Sequence, residues 1–296
     1  MQKISGAEIA QKIVNSLESW PKPKKILAAI LVGENPASIS FLKQKEKIAN
    51  ELDVDFRIYN FPETIKNDKL RQEVGRIASQ KPVSGVIVQL PLPKNINPHY
   101  VLNAIPREKD VDVLGERALG AFYAGRNPVL PPAVGVVEKI LTTYDLRLTT
   151  SKVAVVGLGF LVGKPIANWL MGKCPEIYLL DQGSDFSILN NADLVITGVG
   201  KPGLIKPEML KERTGVIDFG YSLDENGKIR GDFDSSKIGN WKLEIGNLWY
   251  TPTPGNTYSF ENEKLGVGLE ASREKLKQDK KLLEEIKKKT ISVLKP

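Results

Sequence analysis

Sulfur and imidazole are almost missing from this chain, which has a single cysteine, Cys174, and a single histidine, His99, in 296 residues. A disulfide needs a pair of cysteines and a structural zinc site needs a cluster of Cys and His, so both frameworks are excluded. A Ser–His or Cys–His nucleophile is excluded as well, unless His99 serves it. That histidine stands in NPHYVLNAI, which reads as the first turn of a helix and makes it a surface or cap position. Long apolar runs are missing too, and none approaches the length of a bilayer-crossing helix. The opening MQKISGAEIAQKIVNSL is amphipathic and lacks the apolar core of a secretory signal. A soluble, cytoplasmic protein is expected.

What is present is a globular composition, 41% hydrophobic and 26% charged, in a chain long enough for two ordinary domains. The net charge of +7 suggests a nucleic-acid partner until its location is read. From Arg273 to Pro296 there are nine Lys/Arg against four acids, with Leu276, Leu283, Ile286 and Leu294 at roughly helical spacing. This is a solvated amphipathic helix, and no aromatic-basic or zinc-finger pattern accompanies it. No nucleic-acid or membrane partner is expected, although a basic surface favours small anionic substrates.

Helical and strand patterns alternate along the chain. A helix around Ile9, Ile13 and Leu17 precedes the strand KILAAILVG, a helix over Pro36–Leu52, and the strand VDFRIYNF. A helix near Asp68–Ser79 then leads to the apolar strand SGVIVQL. Strand–helix–strand order with apolar strands implies a parallel sheet covered on both faces. The Pro-rich stretch NPVLPPAVG marks a boundary, a helix near Val136–Tyr144 follows, and a second α/β series begins at Lys152. The expected fold is α/β, with two doubly wound αβα domains and a cleft between them.

Two constellations carry chemistry. KVAVVGLGFLVGKPIANWL places Gly157, Gly159 and Gly163 between an apolar strand and a helix start at Pro165, with Asp181 at the end of the next strand, 24 residues beyond Gly157. Gly157 permits the tight turn, Gly159 lets backbone approach a pyrophosphate, and Gly163 allows close helix–strand packing. The helix N-terminus then receives the phosphates and Asp181 the ribose hydroxyls. This predicts a Rossmann domain that binds a nicotinamide dinucleotide. In the first half, Phe41, Lys45, Ile48 and Leu52 share one helical face, so a lysine lies on an apolar stripe. It is either a snorkelling side chain at the core's rim or a desolvated amine suited to proton transfer. Gln89 closes the strand VIV ahead of Pro91, at a strand end where α/β sheets place ligands. Asp110 and Asp112 lie in a loop, where acids are more often caps than functional groups.

These residues carry a resemblance. LVGENPAS (Leu31–Ser38), Lys45 on its helix, VQLPLP (Val88–Pro93), KDVD (Lys109–Asp112), VGKP after the glycine turn, ADLVITGVGKPG, VIDFG and TPTPG (Thr251–Gly255) occur in order over nearly the whole chain. The sequence resembles the bifunctional methylenetetrahydrofolate dehydrogenase/methenyltetrahydrofolate cyclohydrolase family. The resemblance implies hydride transfer from 5,10-methylenetetrahydrofolate to NAD(P)+, then hydrolysis of the methenyl product to 10-formyltetrahydrofolate, in one cleft and without a metal. It implies that Lys45 moves the proton in hydrolysis, that Gln89 holds and tunes it, and that Asp112 hydrogen-bonds the pterin. Phe41, Val88, Leu90, Pro254 and Gly255 would contact folate. Gly157, Leu158, Gly159, Gly163, Asp181, Gln182 and Tyr221 would contact the dinucleotide. The implied organisation is a folate-binding domain over 1–133 completed by a helix over 270–296, a Rossmann domain over 134–269, and a homodimer formed through the Rossmann domains.

Departures from the family pattern are informative. Phe41 replaces the usual tyrosine one turn before the lysine, and Leu130-Pro131-Pro132-Ala133 replaces the usual Pro-Cys-Thr-Pro. Asn256-Thr257-Tyr258-Ser259 follows Pro254-Gly255 where glycines are usual, unless an insertion brings Gly266-Val267-Gly268 into register. A dehydrogenase without cyclohydrolase activity, and a degenerate folate- or dinucleotide-binding paralogue, therefore stay open. The turn has Leu158-Gly159 where an Arg-Ser usually meets the 2′-phosphate of NADP, and Asp181 would repel that phosphate, so NAD+ is favoured. The alternative has Asp181 pointing away and Lys164 or Lys201 neutralising the phosphate.

Overall fold

The computed structural model describes residues 5–144, 146–223 and 229–236, with the backbone of four short strands between 243 and 267. After helix α1 (Gly6–Leu17) come β1 (Ile26–Val32), α2 (Pro36–Glu51), β2 (Asp55–Phe61), α3 (Asn67–Ala78), β3 (Val83–Val88) and the short α4 (Pro98–Leu102). Local sequence accounts for the boundaries. Ser5 caps α1 by accepting from Glu8 N, and Asn35 caps α2 by accepting from Ser38 N at 3.0 Å, with Pro36 in the first turn. All three strands are parallel in the order β2-β1-β3, with Ala29 opposite Ile58 on one side and Ile87 on the other.

Strand periodicity sorts the core into layers. Ile26, Ala28, Ile30 and Val32 face α3 and α4, packing on Leu70, Val74, Ile77 and Leu102. Ala29 and Leu31 point the other way, against Leu42 and Ile39 of α2. A strand buried on both faces must be apolar throughout, and β1 is (ILAAILV).

The second unit comprises α5 (Glu116–Tyr123), α6 (Pro132–Thr143), β4 (Lys152–Val156), α7 (Gly163–Leu170), β5 (Glu176–Leu180), β6 (Leu194–Thr197) and β7 (Gly215–Asp218). Its strands are parallel in the order β5-β4-β6-β7. Val153 and Val155 face α5, α6 and α7 through Phe122, Val134, Val137 and Ile166. Ala154 and Val156 face a different cover. The links from β5 to β6 and from β6 to β7 carry only the 3-10 turns Phe186–Asn191 and Pro207–Met209, and Leu189, Ile205 and Leu210 fill that layer. Both sheets are thus parallel α/β, but this face of the second is closed by short turns where full helices were expected. Thirteen residues between β5 and β6, opened by the Asp185 cap, leave room for little more. A hairpin of β8 (Ser222–Leu223) and β9 (Ile229–Arg230) follows. Among the described residues, no helix is long and apolar enough to cross a membrane.

Candidate active site

In each sheet the connections reverse direction at one point, between β1 and β3 in the first and between β4 and β6 in the second. Ligands of open α/β sheets lie outside the strand ends at such points. Between the two units lies a cleft of about 330 Å³, lined by Lys45, Gln89 and Asp112 from the first and by Phe160, Pro165 and Phe219 from the second.

Lys45 projects from α2 with its Nζ 3.9 Å from Asp112 Oδ2, and its side chain is 38% exposed against 19% for Asp112. Burial pushes the Asp112 carboxyl above its ordinary pKa; Lys45 opposes that shift and Asp110 adds to it. The two neighbouring acids have different fates. Asp110 is buried and caps the approach to α5, accepting from Leu114 N at 3.0 Å and Gly115 N at 2.7 Å. Its Cα follows the sheet through a parallel bridge to Val86. Asp112, two residues on, faces the cleft. Gln89 continues β3, its N–H bonded to Ile30 O at 2.9 Å. Its Nε2 donates to Leu90 O at 2.7 Å, and its Oε1 is buried in the cleft wall without a partner among the described residues.

The apolar stripe assigned to α2 is corrected. Phe41 and Ile48 are 46% and 40% exposed, and the face turned to the core is Ser38, Leu42 and Ala49. Spacings of four and seven fit both of these adjacent stripes, and docking on the sheet selects the one one residue round. Phe41 instead reaches the second unit, where its ring meets Tyr221 at 6.0 Å between centroids and 59° between planes. Val88 and Leu90 also line the cleft. Pro254, Gly255, the Asn256–Ser259 segment apart from backbone in the hairpin Thr257–Phe260 with Glu263–Val267, and the 270–296 helix lie outside the described residues.

The glycine turn has the shape a pyrophosphate requires. Gly157 takes φ +85°, and a Cβ there would come within 2.7 Å of Val199 Cγ2. A Cβ on Gly163 would stand 1.8 Å from Gly157 O, so helix α7 can start beneath the turn only from glycine. Gly159, in contrast, has nothing within 4 Å of its Cβ position. That open side, above the α7 N-terminus, fits a dinucleotide pyrophosphate. Asp181 directly follows β5, its Oδ1 accepting from Gln182 N at 2.9 Å and its own N–H donating to Ser184 Oγ at 2.9 Å. Among the described residues, no group of three or more His, Cys, Asp or Glu could hold a metal ion.

Some site residues escaped the sequence reading. Phe160 crosses to the first unit, packing against its core and meeting the His99 ring edge-to-face at 4.9 Å between centroids. His99 is thus a surface residue of the first turn of α4 that also touches the other unit. Phe219 lines the cleft, and Asp232 is fully buried. A phenylalanine inside a glycine turn was the one available signal; Asp232 offered none.

A Rossmann unit facing an α/β unit that presents a lysine, an acid and an amide into a shared cleft defines a two-domain, dinucleotide-dependent oxidoreductase. Comparison with known proteins narrows this. The family description "Tetrahydrofolate dehydrogenase/cyclohydrolase, catalytic domain" matches residues 3–112, and its "NAD(P)-binding domain" matches residues 131–257. The chain is 34% identical over 232 residues to the bifunctional protein FolD of Staphylococcus aureus, covering 77% of this chain and 79% of that one. The FolD structure from Campylobacter jejuni superposes with a TM-score of 0.74 at 31% identity, over 78% of this chain and 85% of its own. A 5,10-methylenetetrahydrofolate dehydrogenase from Bombyx mori gives 0.73 at 26% identity, over 80% and 88%. The chain belongs to the tetrahydrofolate dehydrogenase/cyclohydrolase family, and it is an enzyme with an NAD(P)-binding domain.

Proposed function

We propose that this cleft carries out both reactions of the family, oxidising 5,10-methylenetetrahydrofolate and hydrolysing the methenyl product to 10-formyltetrahydrofolate. The observation that carries this reading is Lys45 Nζ beside the half-buried Asp112 carboxylate, in a cleft whose opposite wall comes from the glycine turn. Gly157, Leu158, Gly159 and Gly163 would hold the pyrophosphate, with Asp181 and Gln182 at the adenosine ribose and Tyr221 toward the cleft. When bound there, the nicotinamide supplies a hydride acceptor. The residues around it contribute position, which hydride transfer needs more than an acid or a base.

In the hydrolytic step a water adds to the methenyl carbon and Lys45 takes a proton from it. The bond from that carbon to N5 then breaks as the carbonyl forms, and N5 leaves protonated. One proton is released overall. Asp112 hydrogen-bonds the pterin, and Gln89 holds and tunes Lys45; its Oε1 accepts from a donor brought to it in the loaded cleft, since an orphaned buried acceptor otherwise costs about 1–3 kcal/mol. Lys45→Met tests the assignment. Methenyl hydrolysis should fall by at least about a hundredfold, with folate and dinucleotide binding retained and methenyl product accumulating. An unchanged hydrolysis rate would remove Lys45 from the mechanism. Phe41 brings no hydroxyl to the helical turn before Lys45, which favours a second reading as a dehydrogenase alone. Methenyl build-up by the native protein would select it.

For the cofactor we favour NAD+. The exposed Asp181 stands at the β5 end, and neither Leu158 nor Gly159 brings a cation to the turn. Asp181→Ser should raise kcat/KM for NADP+ relative to NAD+. Native preference for NADP+ would instead place Lys164 or Lys201 at the phosphate. We also propose that the folate domain spans 1–133 and is completed by 270–296, and that two copies pair through their Rossmann domains. The β5 edge supports this pairing, being unpaired among the described residues and displaying the exposed Leu179.

A further inference from the structure

Asp232 belongs to neither parallel sheet, yet it is completely buried. Its Oδ2 accepts from Thr197 Oγ1 and Val199 N, both at 2.7 Å, and its Oδ1 accepts from Lys201 N at 2.8 Å. Thr197 is the last residue of β6, and the other two donors flank Gly200, which takes φ +78°. One carboxylate therefore gathers the donors of a single strand-end loop. Asp218, at the end of β7, completes the lock. Its Oδ1 accepts from Gly220 N at 2.7 Å and from Asp232 N at 3.2 Å, and its Oδ2 accepts from Phe233 N at 2.9 Å. The crossing is tight enough that a Cβ on Gly220 would stand 2.4 Å from Asp232 Oδ1.

What the lock holds is the second wall of the cofactor turn. Val199 Cγ2 lies 2.7 Å from the Cβ position of Gly157, and Val162 Cγ1 lies 2.8 Å from that of Gly198. The loop Gly198–Lys201 thus abuts the glycine turn at the β4/β6 reversal point, and Phe219, beside Asp218, lines the cleft. Removing a carboxylate from water is costly, and hydrogen bonds to a charged acceptor are both stronger and more directional than apolar packing. Three of them converging on one loop fix its backbone where a ligand must be met closely.

We infer that Asp232 is a positioning residue for the dehydrogenase half of the reaction, acting through the Val199–Lys201 loop on the dinucleotide. The inference rests on the dehydrogenase reading above. It predicts a split between the two activities, because hydrolysis of the methenyl substrate uses Lys45, Gln89 and Asp112 on the other wall. Asp232→Asn keeps the size of the side chain but turns an amide NH2 toward one of the loop's donors. The experiment measures dinucleotide Kd by quenching of tryptophan fluorescence, dehydrogenase kcat and KM, methenyl hydrolysis, and the thermal midpoint. Dinucleotide Kd and KM should rise about tenfold, the effect of one unsatisfied donor, while methenyl hydrolysis stays within about twofold. Unchanged Kd and KM in a folded variant would overturn the inference. So would a parallel loss of both activities with the thermal midpoint, which marks a purely structural residue. Should Asp232→Asn not fold, Thr197→Val removes one donor and leaves none unpaired. It should raise Kd in the same direction by a smaller factor, and no change there would also overturn the proposal. A native protein that binds dinucleotide without oxidising folate would refute the dehydrogenase reading and leave the Kd comparison intact.

Discussion

Replacing the glycines of the turn one at a time should separate what the fold needs from what the ligand needs. An alanine Cβ at position 163 would lie 1.8 Å from Gly157 O, 2.8 Å from Gly157 C and 3.0 Å from Leu158 Cα. All three are backbone atoms, so no side chain can swing aside. Restoring an ordinary carbon–oxygen contact requires the start of α7 and the turn to separate by roughly 1.5 Å, an overpacking strain of about 1–3 kcal/mol. Across a unit of this size that lowers Tm by about 3–10 °C. The same shift carries the helix N-terminus away from the phosphates, and misplacement by about 1 Å can cost a hundredfold in rate. Position 159 is the control, since no atom lies within 4 Å of its Cβ position. Gly159→Ala should keep the native Tm and lose dinucleotide affinity, because its methyl occupies only the space a pyrophosphate would use. Thermal unfolding followed by dinucleotide titration of both variants reads this directly. A Gly163→Ala protein with native Tm and affinity, or a Gly159→Ala protein whose affinity is untouched, would refute the reasoning.

Asp112 gives a pH test. Its folded pKa is raised by burial, so the protonated form is favoured in the folded state. The stability this contributes is present at low pH and is lost as pH rises through the folded pKa. Asp112→Asn should therefore be at least as stable as the native protein at neutral pH while binding folate more weakly. Its Tm advantage should vanish as pH falls below the carboxylate range, and an advantage that grows on acidification would contradict the burial argument. The proposed dimer predicts a species near twice 32.7 kDa in sedimentation at micromolar concentration, converted to monomer by Leu179→Lys on the β5 edge. A native protein that sediments only as monomer would remove that interface.

Much of this architecture was legible because it rests on local rules. Alternating layers require β1 to be apolar throughout; Asn35-Pro36 opens α2, and three spaced glycines between strand and helix have few uses other than phosphate binding. Where the reading went astray, residues of the right kind faced a way that only tertiary packing decides. The apolar positions of α2 fit two adjacent stripes equally well, and the sheet took Leu42 and Ala49, leaving Phe41 free to reach Tyr221 across the cleft. The 3-10 turns over one face of the second sheet are a further feature that apolar periodicity does not report.

Asp110 and Asp112 show the limit most sharply. They are identical acids two residues apart in one loop, and the prior for such residues is capping. Asp110 follows that prior. Val113 adopts φ +56°, which turns the chain back so that the N–H groups of Leu114 and Gly115 converge on the Asp110 carboxylate. With those donors taken, the counter-charge of Asp112 comes from Lys45 on a helix far away in sequence. A half-buried carboxylate whose one ion-pair partner among the described residues stands at 3.9 Å is poorly compensated. A fold that needed only a cap would have no use for the second acid, whereas a cleft that must hydrogen-bond a polar heterocycle would. The capping role of Asp110 thus leaves Asp112 to face the cleft, where the proposed pterin contact would be made.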